Sequence, residues 1–250
     1  MKKVLSALLC LNVSLFAFST SSISVLNGDF DGNSAIYDTS DGGGKTTITL
    51  EHLTKGEAGD IFFFVDYVIA DQTMLFSTNK TAMYGEFMPR LSLSYLTGED
   101  LSYSIVSDVF IAGQLNAGSG ADFRAELIGL GLNLTIPGFD FVQLNTYYKH
   151  VNLTIPDSTN GFALTDFSRD TYQISPVYGT HFGDTGITFK GWIDLTGYSF
   201  STQNQLLYEI GESKVQVGVE YLYYYEKKSD NGVNTHPKTS VLQIMAKYNW

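Results

Sequence analysis

Apolar and polar residues alternate one for one in segment after segment of this chain, and nowhere does an apolar run reach the roughly 18 residues that a membrane-crossing helix needs. Residues 241–250, VLQIMAKYNW, show the pattern most plainly. Successive side chains of an extended strand point to opposite sides. Leu242, Ile244, Ala246, Tyr248 and Trp250 therefore share one face, and Gln243, Met245, Lys247 and Asn249 share the other. The first face suits lipid and the second suits water. Tyr248 and Trp250 would set two rings at one membrane boundary, where amphipathic aromatics settle. A soluble edge strand alternates in the same way, so the remainder of the chain has to decide.

Lys2 and Lys3 precede an apolar run over residues 4–18, and Ala17 and Ser19 supply the small residues that a signal peptidase reads. The run is interrupted by Asn12 and Ser14 and is too short to stay in a membrane. The expectation is a secretory signal peptide over residues 1–19 and one β-barrel domain over residues 20–250. Cys10 is the one cysteine and lies inside the leader. Leu9 stands before it where lipid attachment calls for a small residue, so the mature chain is expected to hold neither a lipid anchor nor a disulfide.

The composition contains 17 Phe, 16 Tyr and 24 Gly but only 5 Pro, and the mean hydropathy is nevertheless close to zero, at −0.01. A membrane barrel has that average because its apolar outer face and polar lumen cancel along each strand. The formal charge of −11 argues against nucleic acid or anionic lipid as a partner. It favours cationic or neutral solutes.

Turn-forming clusters divide the chain into about twelve alternating segments. Short turns fall near residues 55, 97, 137, 182 and 212; longer polar loops fall near 35, 76, 118, 160 and 231, with a short one near 200. Short periplasmic turns, longer external loops and an even strand number describe an outer-membrane barrel. A soluble β-sandwich shares the leader and the alternation but needs no such alternation of connections. The fold predicted is all-β: a transmembrane antiparallel β-barrel of about twelve strands. Strand parity then points Phe62, Phe64, Asp66, Glu86, Arg90, Asn145, Tyr147, Lys149, Trp192, Asp194, Glu220 and Tyr224 into the lumen, together with Tyr84, Asp108, Gln114 and Lys190. Pro89 falls within a strand and predicts a bulge, because it cannot donate to the ladder.

Residues 86–103, EFMPRLSLSYLTGEDLSY, resemble the Tsx family of nucleoside-specific outer-membrane channels, whose members carry a similar Pro-Arg, serine, Leu-Thr, Asp-Leu-Ser progression. The resemblance extends in the same order through Phe64, Val65 and Asp66, through Gly129, Leu130 and Gly131, through Asn145, Tyr147 and Lys149, through Gly191, Trp192, Ile193 and Asp194, and to the aromatic terminus. It implies a monomeric twelve-stranded barrel with a narrow lumen in a Gram-negative outer membrane, passing nucleosides down their gradient without cofactor or energy source. It also implies that Trp250 forms part of the signal for barrel insertion.

A nucleoside offers a flat base that aromatic rings can stack on, at about 1–3 kcal/mol per base, and hydroxyls that carboxylates and amides can bind. The inward aromatics Phe62, Phe64, Tyr147, Trp192 and Tyr224, interleaved with Asp66, Asn145, Lys149, Asp194 and Glu220, are the candidate substrate-binding belt. The competing reading of the charged residues is an ion-pair network of Glu86, Arg90, Asp66, Asp108 and Lys190 that braces the wall. At the level of function the alternatives are a non-conducting structural or surface-recognition barrel and an outer-membrane hydrolase. The last has little local support. His52, His150, His181 and His236 are scattered, none sits at metal-ligand spacing, and no GxSxG elbow is present.

Overall fold

The computed structural model describes residues 16–31, 42–74, 79–119, 122–157, 163–227 and 238–250. These residues form twelve strands, β1 (Phe16–Phe30), β2 (Gly43–Gly56), β3 (Gly59–Ala70), β4 (Thr81–Ser92), β5 (Val106–Gly118), β6 (Arg124–Leu134), β7 (Phe141–Asp157), β8 (Ala163–His181), β9 (Ile187–Thr196), β10 (Ser199–Glu209), β11 (Val215–Glu226) and β12 (Lys238–Asn249). A one-turn helix, α1 (Leu93–Thr97), follows β4. Of the expected leader, residues 1–15, Cys10 included, lie outside the described residues, and so does His236.

Every strand pairs antiparallel with its neighbours in sequence, and β1 pairs with β12, so the sheet closes on itself. The seam runs from Ser22 opposite Asn249 to Asn27 opposite Ile244, and Ser21 and Trp250 exchange backbone hydrogen bonds at its end. Closure satisfies the backbone groups that an open edge would leave bare in lipid. Taking both termini as periplasmic, the connections after β2, β4, β6, β8 and β10 lie on the periplasmic side.

Where an inward face was expected, on β3, β4, β5, β7, β9, β11 and β12, the parity found is the one expected. On β12, Leu242 and Ile244 are 62% and 68% exposed to the surroundings, whereas Gln243 and Lys247 are 3% and 4% exposed. Lipid covers the outward residues, and a fully covered Leu or Ile contributes roughly 1.5–3 kcal/mol relative to water. The inward residues are packed against one another. Leu26, Leu207 and Met245 make one cluster, Phe30, Leu222 and Val241 a second, and Ala112, Ala125, Leu127, Tyr147 and Val151 a third. The lumen is thus narrow and largely filled by side chains, as small barrels are.

Three local expectations change. Pro89 makes no bulge: Phe87 pairs with Leu115 and Arg90 with Ala112 in unchanged register, and the ladder lapses at the two positions between. The ring lies beside Gly113, where an added Cβ would stand in ordinary contact with it at 3.6 Å. A bulge occurs instead on β5 between Val106 and Asp108. Second, residues 93–95 leave the strand to form α1. Ser92 caps it by accepting from the Tyr95 N–H at 3.1 Å, and Gly98 ends it at φ 71°, a conformation that costs glycine little. The turn then continues to residue 105, so this periplasmic connection is long. The expected alternation of short and long connections is correspondingly incomplete. Third, the longer loop expected near residue 160 is closely bounded by strand, because β7 and β8 extend to Asp157 and back from Ala163.

Candidate solute-binding lumen

Alternation places all twelve candidate residues on inward faces, and closure decides which of them meet. Phe62 and Phe64 stand two apart on β3 with ring centroids 6.3 Å apart. Phe64 is followed by Tyr84 of β4 at 5.9 Å and Tyr84 by Phe123, just before β6, at 6.1 Å. Four rings therefore climb one wall toward the external mouth. Trp192 has no ring partner among the described residues, and Tyr147 is packed within the third apolar cluster at 5% exposure. Tyr224 donates to Glu226 Oε2 at 3.2 Å.

The carboxylates beside this ladder are already partly occupied. Asp66 accepts from Thr49 Oγ1 at 2.6 Å. Glu86 accepts from Tyr84 Oη at 2.6 Å, Gln114 Nε2 at 2.9 Å and Asn116 Nδ2 at 3.1 Å. On the wall formed by β7, β8 and β9, Lys149 donates to Gln173 Oε1 at 2.6 Å, Gln173 Nε2 to Ser175 at 2.9 Å, and Ser175 to Asp194 Oδ1 at 2.5 Å. Lys149 and Asp194 are thus joined by a relay rather than by direct contact. Glu220 receives Gln205 Nε2 at 2.7 Å and Gln243 Nε2 at 3.1 Å.

The expected bracing network does not form among its named members. Arg90 turns away from Glu86 and grips Asp60 through both guanidinium edges, with Nε 2.8 Å from Oδ1. It also donates to Asn133 Oδ1 at 3.0 Å and Asn145 Oδ1 at 3.5 Å, and its guanidinium lies 4.5 Å from the Phe110 ring centre. Arg90 is 6% exposed. A two-pronged, stacked and buried arginine holds walls together and has little left for a solute. Asp108 receives Ser92 and Ser94, each at 2.6 Å, and so belongs to the support of α1. Lys190 reaches Glu51.

Asp60, Asn133, Tyr84, Phe123, Glu51, Lys190 and Lys247 are the functional-looking lumen residues outside the twelve. Each carries the inward parity or lies at a strand end, so the alternation did contain a signal. Which strand faces which across a closed barrel is not written in a period of two. Glu51 is the clearest instance: it accepts from Ser22 Oγ at 2.8 Å, pairs with Lys247 of β12, and lies 3.8 Å from Lys190 of β9 on the far wall. Acids and bases interleave all along the lumen, so it is much closer to neutral than the whole chain is.

Two cavities border this region. One of about 170 Å³ lies at the periplasmic end, between Lys55 and the group of Asn133, Asp140 and Gln143. The other, about 610 Å³, touches Glu86, Asn116 and Phe123 but also Phe63, Met83, Phe87 and Leu115, which face outward. It lies where Gly85 and Ala117 thin the wall and straddles both faces of the sheet, so only its inner part, along Phe64, Tyr84 and Phe123, belongs to the lumen.

A closed antiparallel barrel with an apolar exterior and an interleaved polar and aromatic lumen defines a membrane-spanning barrel of the outer-membrane type. The chain belongs to the family described as nucleoside-specific channel-forming protein, Tsx, which matches residues 33–250. It is similar to two outer membrane proteins OmpK, one of Vibrio parahaemolyticus at 24% identity over 155 residues, covering 62% of this chain, and one of V. parahaemolyticus serotype O3:K6 at 26% over 155 residues, covering 58%. The matches take in 56% and 55% of those proteins, so the chain spans little more than half the length of the curated relatives it matches. Among solved structures, the KdgM porin aligns over 91% of this chain and 98% of its own at a TM-score of 0.46 and 11% identity. Family and relatives place the protein in the bacterial outer membrane.

Proposed function

We propose that the barrel is a passive channel for nucleosides and similar small, uncharged polar solutes. The observation that carries this reading is the ring ladder Phe62, Phe64, Tyr84 and Phe123, flanked by Asp66, Glu86 and Asn116. A base can pass from ring to ring at about 1–3 kcal/mol of stacking per contact, while its sugar exchanges hydrogen bonds with the neighbouring carboxylates and amide. Contacts of that size are weak enough to release the solute, and release is what conduction requires. The family supports the solute class, and the balanced lumen charge favours neutral over ionic passengers. The twelve residues predicted from parity divide under this reading. Phe62, Phe64, Asp66, Glu86, Lys149, Trp192 and Asp194 line the path, whereas the buried Arg90, Asn145, Tyr147, Glu220 and Tyr224 stiffen it. The unit of function is one barrel in outer-membrane lipid, behind a leader over residues 1–19 whose last four residues overlap the start of β1.

Three histidines among the described residues have structural partners. His52 is bonded to Ser21 at 2.8 Å and packs on Phe63 with ring centres 5.3 Å apart, facing outward, while His150 and His181 pair with Asp170 and Asp140. A second reading, a non-conducting barrel, is favoured by the Glu51–Lys190 contact across the lumen. Proteoliposome uptake separates the possibilities. Nucleosides should enter faster than sugars of similar size, and Phe64→Ala should reduce that preference by about five-fold or more, the loss of one stacking contact. Equal rates for both solutes would remove the selectivity, and no uptake of either would leave the non-conducting barrel.

A further inference from the structure

Glu51 and Lys190 stand on nearly opposite walls: in the ring of strands, β1, β12, β11 and β10 lie between β2 and β9 on one side. Their charged groups nevertheless approach to 3.8 Å, which puts a bar across the path. The two lysines that share Glu51 differ in freedom. Lys247 is locked, with a side chain 3% exposed, whereas that of Lys190 is 31% exposed.

Lys190 also has somewhere else to go. On its own wall it pairs in register with Gln205, Gln205 with Glu220, and Glu220 with Gln243, a single inward row across β9 to β12. Glu220 is 4% exposed and is held by the two glutamine amides, with no ion pair to any cation among the described residues. The buried Oε1 atoms of Gln205 and Gln243 have no hydrogen-bond donor. That row is a carboxylate and two amide oxygens short of a cation. Two strand spacings, about 10 Å, separate Lys190 from Glu220, within the joint reach of the two side chains.

The geometry points to Lys190 as the moving bar of a gate with two resting positions. Across the lumen on Glu51 it closes the path; folded back along its own wall onto Gln205 and Glu220 it opens it. The lysine exchanges one carboxylate for another, so the charge balance of the lumen is the same in both positions. Each position offers the lysine one carboxylate, and a passing solute or the membrane field that favours one position shifts the population toward it. This inference rests on the barrel being a channel, though not on nucleosides being its solute.

The test is planar-bilayer recording in potassium chloride without any nucleoside, on folded protein verified by its heat-modifiable migration. Removing one of two competing partners of a partly exposed lysine should shift the open fraction by about five-fold. Glu51→Gln should raise it, Glu220→Gln should lower it, and Lys190→Met should hold the path open and cancel the effect of Glu220→Gln in the double variant. Opposite signs for the two glutamate variants are the decisive readout, because each removes one acid from the same lumen and a general charge effect would move both the same way. Equal signs, or a Lys190→Met channel indistinguishable from the parent, overturn the gate and leave the channel standing. Absence of conductance in the parent and every variant overturns both. Should Glu51→Gln fail to fold because Lys247 loses its partner, the double variant decides: Glu220→Gln without effect on the Lys190→Met background supports the gate, and an effect of unchanged size on that background overturns it.

Discussion

Arg90 shows how one inward side chain can be spent on architecture. It lies four residues from Glu86 on the same face, which makes the two an obvious pair in the sequence, yet Asp60 is directly opposite it on β3 and takes the guanidinium instead. Both partners are almost fully buried, at 6% and 5% exposure. Arg90→Ala should therefore lower the stability of the folded barrel by about 3–5 kcal/mol, since it strands the Asp60 charge. Urea unfolding in detergent micelles measures this. The double change Asp60→Asn with Arg90→Met should recover a good part of the loss, because no charge then remains without a partner.

The element that departs most from plain strand is α1 with its following turn. Asp108 ties it down through Ser92 and Ser94, Leu101 N–H donates to Ser94 Oγ at 3.2 Å, and Ser102 N–H donates to Asp100 Oδ1 at 2.9 Å. The last bond holds the exposed Asp100 carboxyl below the usual carboxylate range. Asp108→Ala should release the helix: amide exchange over residues 93–97 should quicken by about ten-fold or more while the centres of β4 and β5 keep their protection. Unchanged exchange there would mean that the Ser92 and Gly98 caps suffice. The signals for this helix were present in the sequence as Ser92 and Gly98. They were masked because Leu91, Leu93 and Tyr95 also continue the outward alternation of β4, and for so short a run the two periods coincide. The extension of β7 and β8 was hidden differently. The turn-forming residues 157–161, DSTNG, drew the loop boundary outward, although the preceding Val151 and Leu153 pack inward in the third cluster.

For the molecule as a whole, the alternation was enough for the strand number and for the parity of the strands that carry the candidate residues, because lipid outside and a lumen inside impose one rule on all twelve. It was not enough for the site, whose contacts depend on which residues share a level on facing walls. Phe62 and Phe64 were legible as neighbours; Phe64 with Tyr84 and Phe123, or Glu51 with Lys190, were not. The shared rule makes a sharp expectation for β12. Ile244→Arg should cost roughly 2–4 kcal/mol in a lipid refolding titration, the depth-dependent penalty of a charge on the lipid face. Ser240→Arg, on the same face near the external rim, should cost about 1 kcal/mol or less.

The seam between β1 and β12 also bears on how the barrel comes into being. Ser22 must find Asn249, so the last pairing joins residues separated by almost the entire chain. Every other pairing is between sequence neighbours and can form locally, but this one carries the largest loop-closure entropy and is the slowest to nucleate. Until it forms, two strand edges stay unsatisfied, and the chain has to be kept from pairing with other chains in transit. Sealing of the seam is then the committing step of assembly, and a change at residues 22–27 or 244–249 should slow the appearance of the folded species far more than it hastens its unfolding.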